Sequence, residues 1–199
     1  MKLYYAPGAC SLAPRIALQE AGLPYEAAQV DLRALTLADG TDFKTINPLG
    51  YVPLLELDDG RCLLENAAIL QYIADLAPDK QLAPANGSFA RYKLQERLNF
   101  IATEVHKRFG ALFHGASDDL QTEARTQLRA LFAWLDGELK NQDYQFGATF
   151  TVADGYLFTV LRWASLVKVD LTGLDRLMAF KSRVAARPAV RQAVADDHS

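Results

Sequence analysis

The stretch MKLYYAPGACSLAPRIALQE, residues 1–20, decides the fold. Residues 3–5 predict a short strand, and the Pro-Gly pair at 7–8 ends it because both residues interrupt regular structure. Apolar and small residues then recur at helical spacing over 12–18 and predict a helix. Cys10 therefore lies where strand, turn and helix meet, close to the N-terminus of that helix.

The position of Cys10 predicts an activated thiol. Free N–H groups and the dipole at a helix N-terminus favour an anion, which for cysteine is the thiolate, with a pKa of roughly 3.5–7.5 at such sites. The alternative is a small residue that is simply buried after a turn. Cys62 lies inside a strand pattern, and we expect it to be a core residue and unreactive.

The composition bounds the class of protein. The chain has 199 residues, 50% of them hydrophobic, and a formal net charge of −3, which gives no basic footprint for nucleic acid. Its two cysteines form neither a disulfide framework nor a metal-type spacing, and no glycine-rich phosphate loop is present. The sequence shows no signal-peptide order and no run of about 18 apolar residues. We therefore expect a cytoplasmic protein with no nucleic-acid or membrane partner, no metal and no nucleotide cofactor.

The first 80 residues alternate between strand and helix patterns. Further strands are predicted at 28–32, 52–57 and 61–64, the last two joined by an Asp-Gly turn, and a helix at 65–76. The order is βαβ followed by ββα, which predicts a mixed sheet with helices packed on it.

The rest of the chain is predicted to be helical. Residues 77–88 hold two prolines, a glycine and no periodic pattern, and we place the linker at 81–88. Residues 89–199 form an all-helical domain in this interpretation, in which Thr151 and Asp154 make the capping box of one helix. The predicted helical runs are 89–113, 120–140, 152–167 and 174–187, with a further turn to 195.

A polar strip lies on the first of these helices. Asn99, Thr103 and His106 fall within about 60° of one another at 3.6 residues per turn, away from the apolar stripe. The strip either hydrogen-bonds a ligand or faces water. His106 is a base for a thiol, a hydrogen-bond donor or an ordinary surface histidine.

Two dipeptides in the first 80 residues complete the pattern. Val52-Pro53 enters a strand through a proline, which either marks an edge strand or leaves the Val52 backbone able to pair with an extended peptide. Glu65-Asn66 opens a helix, where free N–H groups suit a carboxylate and Glu65 suits an ammonium group; the alternative is that Asn66 only caps the helix. Together with Cys10, these signals describe a ligand with a thiol, a peptide backbone, a carboxylate and an amine, which is glutathione.

Five stretches now identify a family by resemblance. In order along the chain they are MKLYYAPGACSLAPRIAL, NPLGYVPLLELDDG, LLENAAILQYIAD, RLNFIATEVHKRF and FTVADGYLFTVLRWA. The chain resembles a bacterial beta-class glutathione S-transferase over nearly its whole length. The resemblance implies a thioredoxin-like glutathione-binding domain over 1–80, a helical-bundle domain over 89–199, and a homodimer that binds glutathione between its domains.

The resemblance also implies the roles of single residues. Cys10 meets the glutathione sulfur, His106 lies near Cys10, and both are expected to take part in catalysis. Two positions depart from the family pattern: Leu35 stands where relatives can carry a lysine, which Arg33 could replace, and Asn66 stands where serine is common. The positions expected to bind glutathione are Leu35, Val52, Pro53, Glu65, Asn66, Asn99, Thr103, Glu104 and His106.

The function implied is conjugation of the glutathione thiolate to a small hydrophobic electrophile, with glutathione as co-substrate rather than cofactor. Two alternatives stay open at this point. One is glutathione-dependent disulfide reduction or peroxidase activity through Cys10, and the other is a non-catalytic glutathione-binding protein on the same scaffold.

Overall fold

The computed structural model describes residues 1–197, which divide into two compact units. The first unit contains Met1–Leu82 together with the segment from Pro188 onward, and the second is Ala83–Arg187. The sequence placed that last segment in the helical domain, whereas the structure groups it with the first unit.

The first unit is built on a mixed sheet of five strands. In chain order they are β1 (Lys2–Tyr5), β2 (Glu26–Asp31), β3 (Thr36–Leu37), β4 (Leu54–Glu56) and β5 (Cys62–Leu64). The spatial order is β3-β2-β1-β4-β5, with β1 parallel to β2 and the other neighbouring pairs antiparallel. The mixed sheet confirms the predicted architecture. Strand β3 was not predicted, because its two residues are too short to show a period.

Two helices, α1 (Leu12–Ala21) and α2 (Asn66–Leu76), pack against each other in this unit. Leu12 and Ile16 of α1 are buried with Leu3 of β1, as the spacing in residues 1–20 predicted. Helix α1 ends at Gly22, whose φ of 67° is in the left-handed region that favours glycine. The first strand and helix therefore fix both sides of the turn that carries Cys10.

The second unit is helical. Its helices are α3 (Phe89–Phe100), α4 (Gly110–Phe113), α5 (Asp118–Glu138), α6 (Val152–Leu166) and α7 (Asp175–Ala185). The sequence predicted one helix over 89–113, but between α3 and α4 the chain passes through a wide π-helical turn, Ile101–Val105, and a tight 3₁₀ turn, His106–Phe109. The predicted apolar stripe is buried as expected; it consists of Leu98, Ile101, Val105 and Phe109.

Helix α6 begins with the predicted capping box. The Asp154 carboxylate accepts hydrogen bonds from the Thr151 N–H at 2.8 Å and from the Gln145 N–H at 2.9 Å. Asp154 is fully buried, and burial raises its pKa to about 6 against the opposing effect of these hydrogen bonds. The start of α6 is thus fixed by hydrogen bonds to its own capping residue and to the preceding loop at Gln145.

The last helix, α8 (Pro188–Asp196), packs on α1 of the first unit. Beyond it, the buried Asp197 accepts a hydrogen bond from the Gly8 N–H at 2.9 Å. The sequence analysis predicted that a helix stops at Pro188, whereas in the structure Pro188 is the first residue of a new helix. Proline is favourable there because the N–H that it lacks would have no partner within the helix. Within residues 1–197, no helix is both long and apolar enough to cross a bilayer.

Candidate functional site

The turn before α1 is held by a buried serine. The Ser11 hydroxyl accepts a hydrogen bond from the Ala6 N–H at 3.1 Å and donates one to the Ala6 carbonyl at 3.2 Å. The Ala9 N–H also donates to the Ala6 carbonyl, at 3.1 Å. Ser11 is fully buried, so its hydroxyl serves the turn and holds Cys10 next to it in a fixed place.

Cys10 contacts both of the dipeptides singled out in the first unit. Its thiol donates to the Val52 carbonyl at 3.4 Å, and the Asn66 side-chain amide donates to the Cys10 carbonyl at 3.2 Å. The Val52–Pro53 peptide bond is cis. The structure therefore brings Cys10, Val52 and Asn66 together at one end of the sheet.

The electrostatics of Cys10 differ from the sequence prediction. Burial raises the pKa of the Cys10 thiol to about 11, against the hydrogen bonds from Asn66 and from the backbone N–H groups of Cys10 and Ser11, which lower it; the Glu65 carboxylate raises it further. The predicted thiolate near neutral pH is thus wrong for the unliganded protein. The loss of water around the sulfur raises the pKa by more than the groups at the start of the helix lower it, and Cys10 is therefore protonated at neutral pH.

Asn66 also differs from the simple capping residue that was one of its interpretations. It is 5% exposed, and its amide points to Cys10 rather than to the first turn of α2. Its Oδ1 is buried and has no hydrogen-bond partner among residues 1–197. A buried acceptor of this kind is costly unless a donor reaches it.

Glu65 precedes α2 with an unusual backbone. Its φ of 68° is in the left-handed region, which costs a residue with a side chain of the order of 1 kcal/mol or more. The Glu65 carbonyl accepts from the Ala68 and Ile69 N–H groups at 3.0 and 2.9 Å and so begins the helix, while the residue itself is exposed. Strain that persists beside Cys10 and Asn66 is consistent with a ligand site.

Leu35 lies in the connection that leads to the Val52 segment. It also has a positive φ, 56°, and its methyl groups lie 3.3 and 3.5 Å from the place that a Cβ would occupy on Gly50. Leu35 therefore packs against the turn at Gly50, and its side chain carries no charge that could bind a ligand there. The Val52 N–H donates to no group among the described residues, so one backbone donor remains free beside the cysteine.

In the second unit, the polar strip divides into two parts. Asn99 and Thr103 are exposed, and the Thr103 hydroxyl donates to the Asn99 carbonyl at 3.0 Å. Glu104 forms an ion pair with Arg108 at 2.8 Å. These side chains are bonded within their own helical segment.

His106 differs from the other two residues of the strip, because its side chain contacts residues of helix α6. Its Nδ1 lies 2.7 Å from the Tyr156 hydroxyl, and its ring meets the Trp163 ring edge to face, with 5.0 Å between the centroids. Burial lowers the pKa of His106 to about 4, so its imidazole is neutral at physiological pH. The surface-histidine interpretation is therefore wrong.

Cys62 corrects a further prediction. It begins β5, an edge strand that pairs only with β4 in the sheet, and its side chain is exposed rather than in the core. Burial still raises the pKa of its thiol somewhat, and the Glu56 carboxylate adds to this. A period-two pattern in the sequence does not show which strand lies at the edge.

Tyr156 and Trp163, which contact His106, were not predicted from the sequence as site residues. The two aromatic residues are seven positions apart on α6, a spacing that places them on the same face of a helix. This spacing is visible in the sequence, but buried core residues on a helix have the same spacing. Only the contacts with His106 in the structure distinguish the two aromatic residues from ordinary core residues.

Known proteins similar to this chain point in one direction. The glutathione S-transferase N-terminal domain model matches residues 1–75, and the C-terminal domain model matches residues 100–188. A glutathione S-transferase of Escherichia coli O157:H7, GstA, is 47% identical over 195 residues, covering 98% of this chain and 97% of its own. A second, from Xanthomonas campestris, is 40% identical over 203 residues, covering 98% and 97%.

Solved structures give the same result. A ternary complex of BphK, a bacterial glutathione S-transferase, has a TM-score of 0.97 at 50% identity and covers all of both chains. A sphingomonad glutathione S-transferase complexed with glutathione has a TM-score of 0.96 at 46% identity, covering 100% of this chain and 99% of its own. A beta-class enzyme of Sphingomonas chungbukensis has a TM-score of 0.95 at 45% identity, covering 99% and 98%.

Proposed function

This chain belongs to the glutathione S-transferase family, and we propose that it conjugates the thiolate of glutathione to small hydrophobic electrophiles, with the glutathione sulfur held at Cys10. The observation that carries this assignment is the geometry around Cys10, whose thiol lies 3.4 Å from the Val52 carbonyl and whose own carbonyl accepts a hydrogen bond from the Asn66 amide at 3.2 Å. A neutral thiol beside a peptide-binding backbone can donate a hydrogen bond to a bound thiolate. The likeness to a transferase complexed with glutathione supports the same ligand.

The groups around Cys10 support the binding of the rest of the tripeptide. The free Val52 N–H suits pairing with the cysteinyl part of glutathione, beside Pro53. The buried Asn66 Oδ1 and the exposed Glu65 carboxylate suit the ammonium group of the γ-glutamyl part, and the N-terminus of α2 suits its carboxylate. Leu35 offers only apolar packing toward the glycyl end.

The proposed reaction needs the glutathione thiol as a thiolate. That sulfur attacks the electrophilic carbon, a carbon–sulfur bond forms, and the electron pair leaves with the leaving group or moves into the acceptor. The proton released from glutathione goes to water. A pKa of about 11 for Cys10 supports this reaction over the redox alternative, because a disulfide exchange would need Cys10 itself as the thiolate.

On the strength of the family resemblance, we propose that His106 is a neutral hydrogen-bond donor toward the thiolate. Its lowered pKa supports an N–H donor rather than a charged imidazolium, and its enclosure by Tyr156 and Trp163 supports a fixed ring. The family resemblance supports ligand contacts by Asn99, Thr103 and Glu104.

We also propose that the protein is a homodimer and that it works in the cytoplasm. Large apolar side chains are exposed in each unit, for example Tyr51 at 67% and Phe89 at 79%, and exposed groups of this kind mark association surfaces when they are contiguous. The two free cysteines suit a reducing compartment. Sedimentation equilibrium at micromolar concentration should give about twice 22.0 kDa, and a monomer would contradict the dimer.

The assignment is tested by glutathione turnover with a chromogenic aryl halide. The wild type should turn over, and Cys10→Ala should turn over more slowly, with Cys62→Ser as the matched control that leaves the rate unchanged. Glutathione binding by calorimetry without turnover would indicate a non-catalytic binding protein. A Cys10–glutathione mixed disulfide by mass spectrometry, together with disulfide turnover, would indicate the redox activity instead.

A further inference from the structure

His106 and Tyr156 form a pair that the proposed reaction does not by itself explain. The Nδ1 atom of His106 lies 2.7 Å from the Tyr156 hydroxyl, and the two rings meet at 90° with 5.9 Å between their centroids. Tyr156 is 1% exposed, so its hydroxyl is held inside the second unit. A neutral imidazole has two different nitrogens, and the partner of one fixes the proton on the other.

Distance and donor strength together indicate which group donates. Bonds donated by an N–H are about 2.7–3.2 Å long, so 2.7 Å is at the short end of that range, whereas it lies in the middle of the range of about 2.5–3.0 Å for bonds donated by a hydroxyl. The length is thus matched better by a bond from the Tyr156 O–H to an unprotonated Nδ1. A phenol is also the better donor of the two groups, because its oxygen lone pairs are drawn into the ring.

We propose that Tyr156 is a positioning residue that holds neutral His106 in the tautomer with its proton on Nε2. This inference rests on the proposed function, in which His106 donates a hydrogen bond to the glutathione thiolate. In the opposite tautomer, Nε2 carries a lone pair and repels an anion. Tyr156 thus decides whether the imidazole stabilises the thiolate or opposes it.

The surroundings keep this pair in register. Tyr156 lies two residues after Asp154, whose hydrogen bonds to Thr151 and Gln145 fix the start of α6. Trp163 lies on the same face of α6 and packs edge to face on the imidazole. The phenol and the indole therefore fix the ring from one helix.

The wide turn in the chain explains why His106 reaches this helix. In a regular α-helix, His106 would share a face with the exposed Asn99 and Thr103. The π-helical turn Ile101–Val105 takes in more residues per turn, and the tight turn that follows begins at His106. The ring is thereby rotated out of the exposed strip and toward α6.

The test compares Tyr156→Phe with the wild type on ¹⁵N-histidine-labelled protein. Protonated and bare imidazole nitrogens resonate far apart, so the spectrum reports the tautomer directly, and His106→Gln identifies the signals. We expect the wild type to show one tautomer, with the proton on Nε2, and Tyr156→Phe to show both. Tyr144→Phe is the matched control, since the Tyr144 hydroxyl accepts a bond from Arg187 at 3.1 Å and does not touch His106.

Kinetics separate this inference from the proposed function. Tyr156→Phe should lower kcat for conjugation about threefold to tenfold with KM for glutathione unchanged, as expected for one hydrogen bond, and should have no effect in a His106→Gln background. A proton on Nδ1 in the wild type, or an unchanged spectrum in Tyr156→Phe, would overturn the inference even if His106→Gln is slow. Unchanged conjugation by His106→Gln would instead overturn the role proposed for His106, whatever the spectrum shows.

Discussion

In the free protein, iodoacetamide is expected to alkylate Cys62 faster than Cys10, although Cys10 precedes a helix. With a pKa of about 11, about one Cys10 thiol in a thousand is ionised at pH 8, against about a quarter for a thiol with the ordinary pKa of ~8.5. The more basic thiolate is intrinsically more nucleophilic by about tenfold, which offsets part of that difference. Cys10 should therefore react roughly twentyfold more slowly than an unperturbed exposed thiol. Cys62 is exposed and should lie closer to that reference.

The assay is timed alkylation between pH 7 and pH 9.5, read by peptide mass spectrometry. Cys62→Ser isolates the reaction of Cys10, and Cys10→Ser isolates that of Cys62. The rate at Cys10 should still be rising at the upper end of this range. A Cys10 midpoint at or below ~8.5 would show that the helix N-terminus, rather than burial, sets its pKa, and the argument for a protonated donor would fail.

Four further outcomes are expected. Between pH 7 and pH 5 the wild type should lose roughly 2 kcal/mol more of its free energy of unfolding in urea than His106→Gln does, because the stability that neutral His106 contributes above its unfolded pKa of about 6.5 is lost as pH falls toward its folded pKa of about 4. Asp154, whose pKa is raised to about 6, titrates in both proteins and cancels in this difference. Asp154→Ala should cost about 2–4 kcal/mol in the same assay at pH 7, because two buried N–H groups lose their acceptor. Cys10→Ala should lower kcat/KM for conjugation about tenfold, as expected for one hydrogen bond to a charged sulfur, and should abolish any glutathione-dependent disulfide reduction, for which it would be the nucleophile; the opposite pattern would reverse the assigned roles. Asn66→Ala should raise the Kd for glutathione by calorimetry about tenfold, and an unchanged Kd would remove Asn66 from the binding site.

The architecture followed from local patterns where those patterns are strong. Helix α1 and the start of α6 were predicted because apolar spacing and a capping box act within a few residues. Strand β3 could not be predicted, because two residues show no period and are fixed only by pairing with β2. The placement of α8 on α1 depends on contact between opposite ends of the chain, which no local pattern encodes.

In the candidate site, too, the sequence predicted which residues take part but not the environment that the fold gives them. The sequence identified Cys10, Val52 and Asn66, and the structure brings these three together. It did not give the protonation state of Cys10, because the dipole of a helix is a local property, whereas loss of water around the sulfur depends on everything packed nearby. It assigned Cys62 to the core because alternation alone does not reveal an edge strand.

The raised pKa of Cys10 and the lowered pKa of His106 have the same consequence for the proposed reaction. Burial favours the neutral form of both Cys10 and His106, the first by raising its pKa and the second by lowering it. Each is then a hydrogen-bond donor without a charge of its own at neutral pH. An anionic Cys10 would repel a glutathione thiolate, since two like charges in one site cannot both be ionised cheaply. In the proposed reaction, a protonated Cys10 therefore leaves the negative charge to glutathione, and the glutathione sulfur that attacks the electrophile is the one that carries this charge.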